Sequence, residues 1–300
     1  MVNDLYRVGG HLIDIRYADE WNDESLIPSF RPFVVDRPEE GEQPAFVLTV
    51  DDSFHYDGPR DEVGQFDGSG NNYGVYQLPD GGYLIEISNP HRELCGILHA
   101  DGKFHQCTVA LLAKEKNDRG FALNNSLMMA YAFSTADKQT LLLHASVIRK
   151  DGKGYLMTAP SGTGKSTHTY LWYKNIPGCD LMNDDNPVVR IVDGVAIIYG
   201  TPWSGKTPCY RNIEAPVGAI VRIQQRPKNE IRRMKPVEAL THLLPAASSM
   251  KWDRNIYLNI CDTISALIAC VGVYELGCLP NAEAAWLCYN TVSGRADAND

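Results

Sequence analysis

Ala159-Pro160-Ser161-Gly162-Thr163-Gly164-Lys165-Ser166 reads as a phosphate-binding loop in all but its first residue, which is Ala where the pattern asks for Gly. Such a loop wraps a polyphosphate in backbone N–H groups. Its Lys neutralises the terminal phosphates and its Ser holds the Mg²⁺ that bridges them. The phosphate-binding residues expected here are Ser161, Gly162, Thr163, Gly164, Lys165, Ser166 and Thr167. A second string, Gly200-Thr201-Pro202-Trp203-Ser204-Gly205-Lys206-Thr207, matches the strict pattern with its opening Gly. Context separates the two. The loop has to leave a strand and open a helix, so that the helix N-terminus faces the phosphate. Gly154-Tyr155-Leu156-Met157-Thr158 before the first string reads as a short buried strand. Residues 167–175 after it hold no Pro or Gly, and Leu171, Trp172 and Tyr173 can pack on a sheet. After the second string come Pro208 and Pro216, and Pro is tolerated only in the first turn of a helix. The second string then reads either as a surface loop anchored by Trp203 or as a further contact loop, with Lys206 facing a phosphate or carboxylate.

The chain around the loop has 300 residues, enough for one large domain or two ordinary ones, and its 44% hydrophobic content supports a sizeable core. A net charge of −9 argues against nucleic acid as a general partner. That charge is uneven: residues 1–119 hold 22 acids and 10 bases, net −12, and the remainder nets +3. Two differently solvated surfaces would give this pattern, and so would a basic nucleotide-handling half beside an acidic one. The eight Cys form no Cys-x-x-Cys pair and show no zinc spacing. Residues 1–11 carry charges without an apolar core, and the longest apolar stretch, 266–274, is short for a bilayer. A cytoplasmic protein with reduced thiols and no membrane partner is expected.

The periodicities divide the chain near Arg119. Residues 1–119 read as a β-rich accessory domain, with strands expected over 6–17, 45–50, 73–78, 83–88 and 105–112, and long loops over 19–42 and 57–72. Residues 120–300 read as the α/β catalytic domain. A helix is expected over 121–133, and strands over 141–150 and 153–158 about the Asp151-Gly152 turn. Two more, 187–192 and 195–199, flank Asp193-Gly194. A strand over 217–224, helices over 236–244 and 282–289, a strand over 274–278 between helical segments, and a frayed tail over 293–300 complete the reading. Residues 224–235 hold five basic residues and one acid, a solvated face or a docking site for an acidic partner.

Phosphate binding becomes catalysis only with a second acidic site. Asn183-Asp184-Asp185-Asn186 lies a helix length beyond Lys165, where the next strand of a parallel sheet commonly ends beside the loop. One carboxylate there can reach Mg²⁺ and the other can accept a proton from an attacking hydroxyl; the same residues also make an ordinary turn. His144 interrupts an apolar run on the strand before the loop strand, as a core histidine or as a site residue.

From His144 to Ile191 the chain resembles the catalytic domain of HPr kinase/phosphorylase and its bacterial kinase-like relatives: a His on a strand, then Ser-Gly-x-Gly-Lys-Ser, then Asp-Asp, in that order and near that spacing. The resemblance is good over 141–190, diffuse through 289 and absent from 1–119. Phosphoenolpyruvate carboxykinases, in the wider structural family, share Ser-Gly-Thr-Gly-Lys. The resemblance implies an α/β P-loop kinase domain of the HPr kinase C-terminal/phosphoenolpyruvate carboxykinase-like fold, with a β-rich N-terminal domain. It also implies a serine kinase using ATP and Mg²⁺ on a protein or peptide substrate, with a homo-oligomer left open. Lys165 would contact the β- and γ-phosphates, Ser166 and Asp184 would serve the metal, Asp185 would be the base, and His144 would stand near the phosphates. The chain departs from the family at Ala159, and it lacks the Glu-x-Arg-Gly metal segment and the Pro-Gly-Arg-Asn segment tied to phosphate removal. The kinase half-reaction is therefore the one expected. A carboxykinase-like small-molecule phosphotransferase and a non-catalytic nucleotide-binding module are the alternatives.

Overall fold

The computed structural model describes residues 2–68, 71–205 and 207–294. It is a mixed α/β protein with two sheets in two compact units. The first unit takes Met1–Thr135 and Met250–Asp253, the second Ala136–Ser249 and Arg254–Asp300. No helix of the described residues is long and apolar enough to cross a membrane.

The first unit is built on one sheet. Its strands are β1 (Val2–Val8), β2 (His11–Tyr17), β3 (Phe46–Val50), β4 (Asp61–Gly68), β5 (Asn71–Gln77), β6 (Tyr83–Ser88), β7 (Leu94–Ala100) and β8 (Gln106–Leu111), in the spatial order β1-β2-β3-β8-β7-β6-β5-β4. Residues 6–17, expected as one strand, are the hairpin β1–β2. The expected loops over 19–42 and 57–72 hold two short 3₁₀ turns and the edge strand β4. Helix α1 (Lys116–Ser134) packs across β3, β6, β7 and β8, burying Leu123, Leu127, Ala130 and Tyr131. Its approach depends on Gly96, where a Cβ would stand 2.8 Å from that of Ala122. The chain therefore divides at Thr135, not near Arg119. Arg119 sits inside the polar network of the first unit, donating to Asp52 at 2.7 Å, Asn22 at 2.6 Å and the Leu111 carbonyl at 2.8 Å.

The second unit holds β9 (Thr140–Leu142), β10 (Ala145–Lys150), β11 (Lys153–Thr158), α2 (Lys165–Asn175), β12 (Asp180–Asp185), β13 (Val188–Val192) and β14 (Val195–Tyr199). It continues with β15 (Glu214–Gln225), β16 (Glu230–Arg233), α3 (Pro236–Leu243), α4 (Arg254–Cys270), β17 (Val273–Cys278) and α5 (Ala282–Val292). Strand order on the site-bearing part runs β12-β10-β11-β15-β17-β16. Both expected Asp-Gly hairpins form, with positive φ at Asp151 and Gly152 and again at Asp193 and Gly194, the geometry of a tight two-residue turn. The long β15 serves two neighbours: its first residues pair antiparallel with β14, and its later ones run parallel to β11 and β17. Helices α2 and α5 cover one face of this sheet over Tyr155, Met157, Val221 and Leu276. Trp172 is the anchor of α2, fully buried with the rings of Tyr155 at 5.2 Å and Tyr289 at 5.4 Å. Tyr173, expected on the sheet, points to solvent.

Candidate functional site

Strand direction decides what meets at the loop. β11, β15 and β17 are parallel, and β12 runs the same way because β10 lies antiparallel between it and β11. Four carboxyl ends therefore share one edge of the sheet, the edge where open α/β sheets take ligands. Register sharpens this. Ala145 is opposite both Thr158, the last residue of β11, and Asp185, the last of β12; Ser146 is opposite Asp184. The loop, the Asp pair and the residue before β10 thus lie side by side. That residue is His144. The expected strand over 141–150 is broken there into β9 and β10, and His144 stands in the gap, its N–H donating to the Ala246 carbonyl at 2.7 Å.

Residues 159–164 form the turn between β11 and α2. Gly162 and Gly164 hold φ of +78° and +117°, values an L side chain resists. Ala159 is not among the positive-φ residues, and its methyl group is buried in the core between sheet and helix, so this loop start has no need of Gly. Gly164 caps α2 without a side-chain hydrogen bond, and the first turn carries no acid. The helix N-terminus keeps its unpaired N–H groups and its positive end. Lys165 Nζ donates to the Ala159 carbonyl at 3.3 Å. Burial pulls its pKa below the ordinary lysine value, against the opposing pull of Asp185 and Asp184. Gln225, at the end of β15, donates to the Thr163 carbonyl at 3.1 Å and braces the loop.

Asp184 is 3% exposed and fully engaged. Its Oδ1 accepts from Ser166 Oγ at 2.8 Å and its Oδ2 from the Thr207 N–H at 3.3 Å, while its carbonyl accepts from the Gly205 N–H. Asp185 is more open. Its Oδ1 lies 3.6 Å from His144 Nε2, longer than a hydrogen bond, and its Oδ2 accepts from Asn186 at 3.0 Å. The His144 side chain is 41% exposed. Burial lowers its pKa below the usual imidazole value, with Asp185 opposing and Lys165 adding to the fall, so His144 is neutral at pH 7. The two Asp residues therefore differ in kind: one buried and tied to Ser166, the other free to meet a ligand.

Ser166 Oγ and the Asp184 carboxylate are hard oxygen donors. Mg²⁺ is commonly held by one or two carboxylates together with substrate phosphates, not by an all-protein cage. Among the described residues no three His, Cys, Asp or Glu side chains form such a cage. The donor set fits Mg²⁺ shared with a bound polyphosphate.

The second loop-like string opens no helix. Residues 200–205 and 207–213 are coil apart from one bridge, Ser204 to Asp185. Trp203 is 2% exposed, so the loop is anchored as one of the two readings required. Asn183 donates to Thr201 Oγ1 at 3.0 Å and to the Trp203 carbonyl at 3.1 Å, drawing the loop across Asp184. Lys206 lies outside the described residues, as do residues 295–300 of the expected frayed tail.

Cavities lie on two sides of residues 159–164. One, of about 660 Å³, lies along the helix side against Gly162–Gly164, Thr167, Leu171 and Leu279. The other, of about 430 Å³, lies on the strand side against Ala159, Ser161, His144, Arg222 and His242. Neither Arg222 nor His242 stands out in a motif. The available signal was Arg222 itself, a lone charge inside the apolar run 217–224.

No protein-family model and no curated protein matches the chain. Among solved structures it is similar to the Hpr(Ser) kinase/phosphatase from Coxiella burnetii, at 12% identity and a TM-score of 0.31, over 53% of this chain and 91% of that one. A likeness of that size does not set the fold.

Proposed function

We propose that this protein is a P-loop kinase of the HPr kinase type, which transfers the γ-phosphoryl group of ATP to a hydroxyl, most simply the serine of a protein or peptide. One observation carries the proposal. The register of β10 with β11 and β12 brings an uncapped, acid-free helix N-terminus, Lys165 and two differently placed carboxylates to one edge. In the proposed reaction the loop N–H groups and Lys165 hold the phosphates in line. Ser166 and Asp184 would hold Mg²⁺, which would supply charge neutralisation on the phosphates when bound. Asp185 accepts the proton of the acceptor hydroxyl as its oxygen bonds to the γ-phosphorus; the bond from that phosphorus to the bridging oxygen breaks, and ADP leaves. His144, its pKa lowered chiefly by burial, stands 3.6 Å from Asp185 and adds little positive charge there.

The test is Asp185→Asn. It keeps the side-chain shape and removes the base, so transfer from labelled ATP to a serine acceptor should fall by about 10²–10⁴-fold while nucleotide affinity changes little. Transfer at the wild-type rate would end the base assignment.

A further inference from the structure

The strand-side cavity holds a cation whose one ion pair is long and shared. Arg222 lies opposite Thr158 in the parallel β11–β15 pair, at the foot of the phosphate loop. The nearest carboxylate to it is Glu275, with Nη1 at 3.8 Å. Glu275 is already shared with Arg232 at 3.1 Å and Arg226 at 4.0 Å, so one carboxylate serves three guanidinium groups. Arg232 and Arg226 each have a second acid, Glu238 and Glu230; no such second acid is paired with Arg222 among the described residues. Its Nε is buried without a hydrogen-bond partner among them, an unused donor on a group built to grip a carboxylate or phosphate with two parallel bonds. His242 beside it has its Nε2 2.7 Å from Thr158 Oγ1, within hydrogen-bond distance, and burial, helped by Arg222, lowers its pKa to about 4. With His144 also neutral, Arg222 is the fixed charge of this cavity at pH 7.

In the proposed reaction the nucleotide would take the other cavity. The loop N–H groups and the first turn of α2 border the larger, helix-side cavity; the Arg222 cavity touches only residues 159–161 of the loop, and through His144 it adjoins Asp185. We propose that Arg222 determines acceptor specificity: it binds a carboxylate carried next to the hydroxyl to be phosphorylated, so that the acceptor is a serine flanked by Asp or Glu. The kinase reading enters only in the word acceptor; the anion site itself stands on the cavity and on a guanidinium held only by a shared carboxylate at 3.8 Å.

The full-length protein, loaded with ADP and Mg²⁺, is titrated into three fluorescent peptides of equal length with a central Ser flanked by Glu, Gln or Lys. The Glu peptide should bind at least about tenfold tighter than the Gln peptide, and the Lys peptide weakest. Arg222→Gln should bring the three within about twofold of each other, and Arg222→Lys, which keeps the charge and loses the fork, should retain only part of the preference. Affinity for a fluorescent ATP analogue should stay within about twofold in both variants, with melting curves confirming that they fold. Equal binding of the three peptides by the wild type, binding of none, or an unchanged preference in Arg222→Gln overturns the proposal. So does a tenfold loss of ATP-analogue affinity in Arg222→Gln, which would place Arg222 on the nucleotide. Labelled ATP supplied to the same peptides separates the two claims: Arg222-dependent binding without transfer would sink the kinase reading and leave the anion site standing.

Discussion

In the proposed reaction Ser166 and Asp184 are the residues on which nucleotide binding would turn, because a buried carboxylate tolerates little loss of hydrogen bonding. Ser166→Ala removes the 2.8 Å donor to Asp184 Oδ1 and one oxygen of the proposed metal set. Affinity for ATP with Mg²⁺ should fall by tenfold or more, and affinity measured with EDTA should change far less. Equal losses in the two titrations would remove Ser166 from the metal set. His168, two residues further along α2, supplies a pH signature. Trp172 Nε1–H donates to His168 Nε2 at 3.1 Å, so the imidazole proton sits on Nδ1. Burial lowers the His168 pKa from 6.5 to about 4. Above pH 6.5 the folded and unfolded states are both neutral there. Below it the unfolded chain takes the proton first, so stability falls as pH drops from 6.5 toward 4, by up to roughly 3 kcal/mol from this residue. His168→Gln still accepts from Trp172 and does not titrate. Urea unfolding should show wild type losing ground to the variant across that window; parallel curves would contradict the assignment. The strand, loop and helix around residues 159–164 could be read from sequence because their signals are local. What sequence left undecided was whether Ala159 harms the loop, and the answer depends on a backbone angle that no residue name contains.

At the scale of elements, legibility followed hydrophobic contrast. Strand β11, helix α2 and the Asp-Gly hairpins were expected within a few residues, since apolar runs bounded by turn residues mark them. Strand β4 was invisible because it is an edge strand, Asp-Glu-Val-Gly-Gln-Phe-Asp-Gly, polar as exposed edges are. Strand β7 was masked by Gly96, whose missing side chain answers to α1 and not to its own strand. The placement of Asp184-Asp185 beside the loop was expected from a parallel sheet. The structure reaches it with an antiparallel β10 in between, which puts His144 between the two. The segment after β14 was the least decided, and it can be tested as an element. Asn183 is fully buried and holds Thr201 and the Trp203 carbonyl while accepting from the Asp185 N–H at 3.2 Å. Asn183→Leu keeps the volume and strands those groups, so it should cost about 1–3 kcal/mol and release residues 200–207 from Asp184. Hydrogen exchange should then rise at the Gly205 and Thr207 amides and stay unchanged at the start of α2. Unchanged protection at both would mean that Trp203 alone anchors the loop.

At the scale of the whole molecule, the first unit is not one continuous stretch of chain. Residues 250–253 belong to it, although the chain before and after them belongs to the second unit. No linear reading could assign four residues to a unit that otherwise ended at Thr135, because composition changes at neither end of the tetrapeptide and the reason lies in packing. Trp252 sets its ring 5.0 Å from that of Phe66 and fills the place that Gly64 leaves open, where a Cβ would come within 2.5 Å of the indole. Asp253 accepts from the Tyr83 hydroxyl at 2.9 Å. Trp252→Ala empties the space over β4 without touching a residue of the proposed catalytic edge. The loss should be about 3 kcal/mol, the lower end for a large aromatic, because Trp252 is only half-buried. It should also be local. Amides of β4, β5 and β6 should exchange faster in Trp252→Ala while those of β11 and α2 keep their protection, and Tyr83→Phe should reproduce a smaller part of the effect, about 1 kcal/mol, by removing one hydrogen bond. Faster exchange at β11 and α2 in step with β4 would show that the two units unfold as one, and the tetrapeptide would then be a strut of the whole chain, no longer a private part of the first unit.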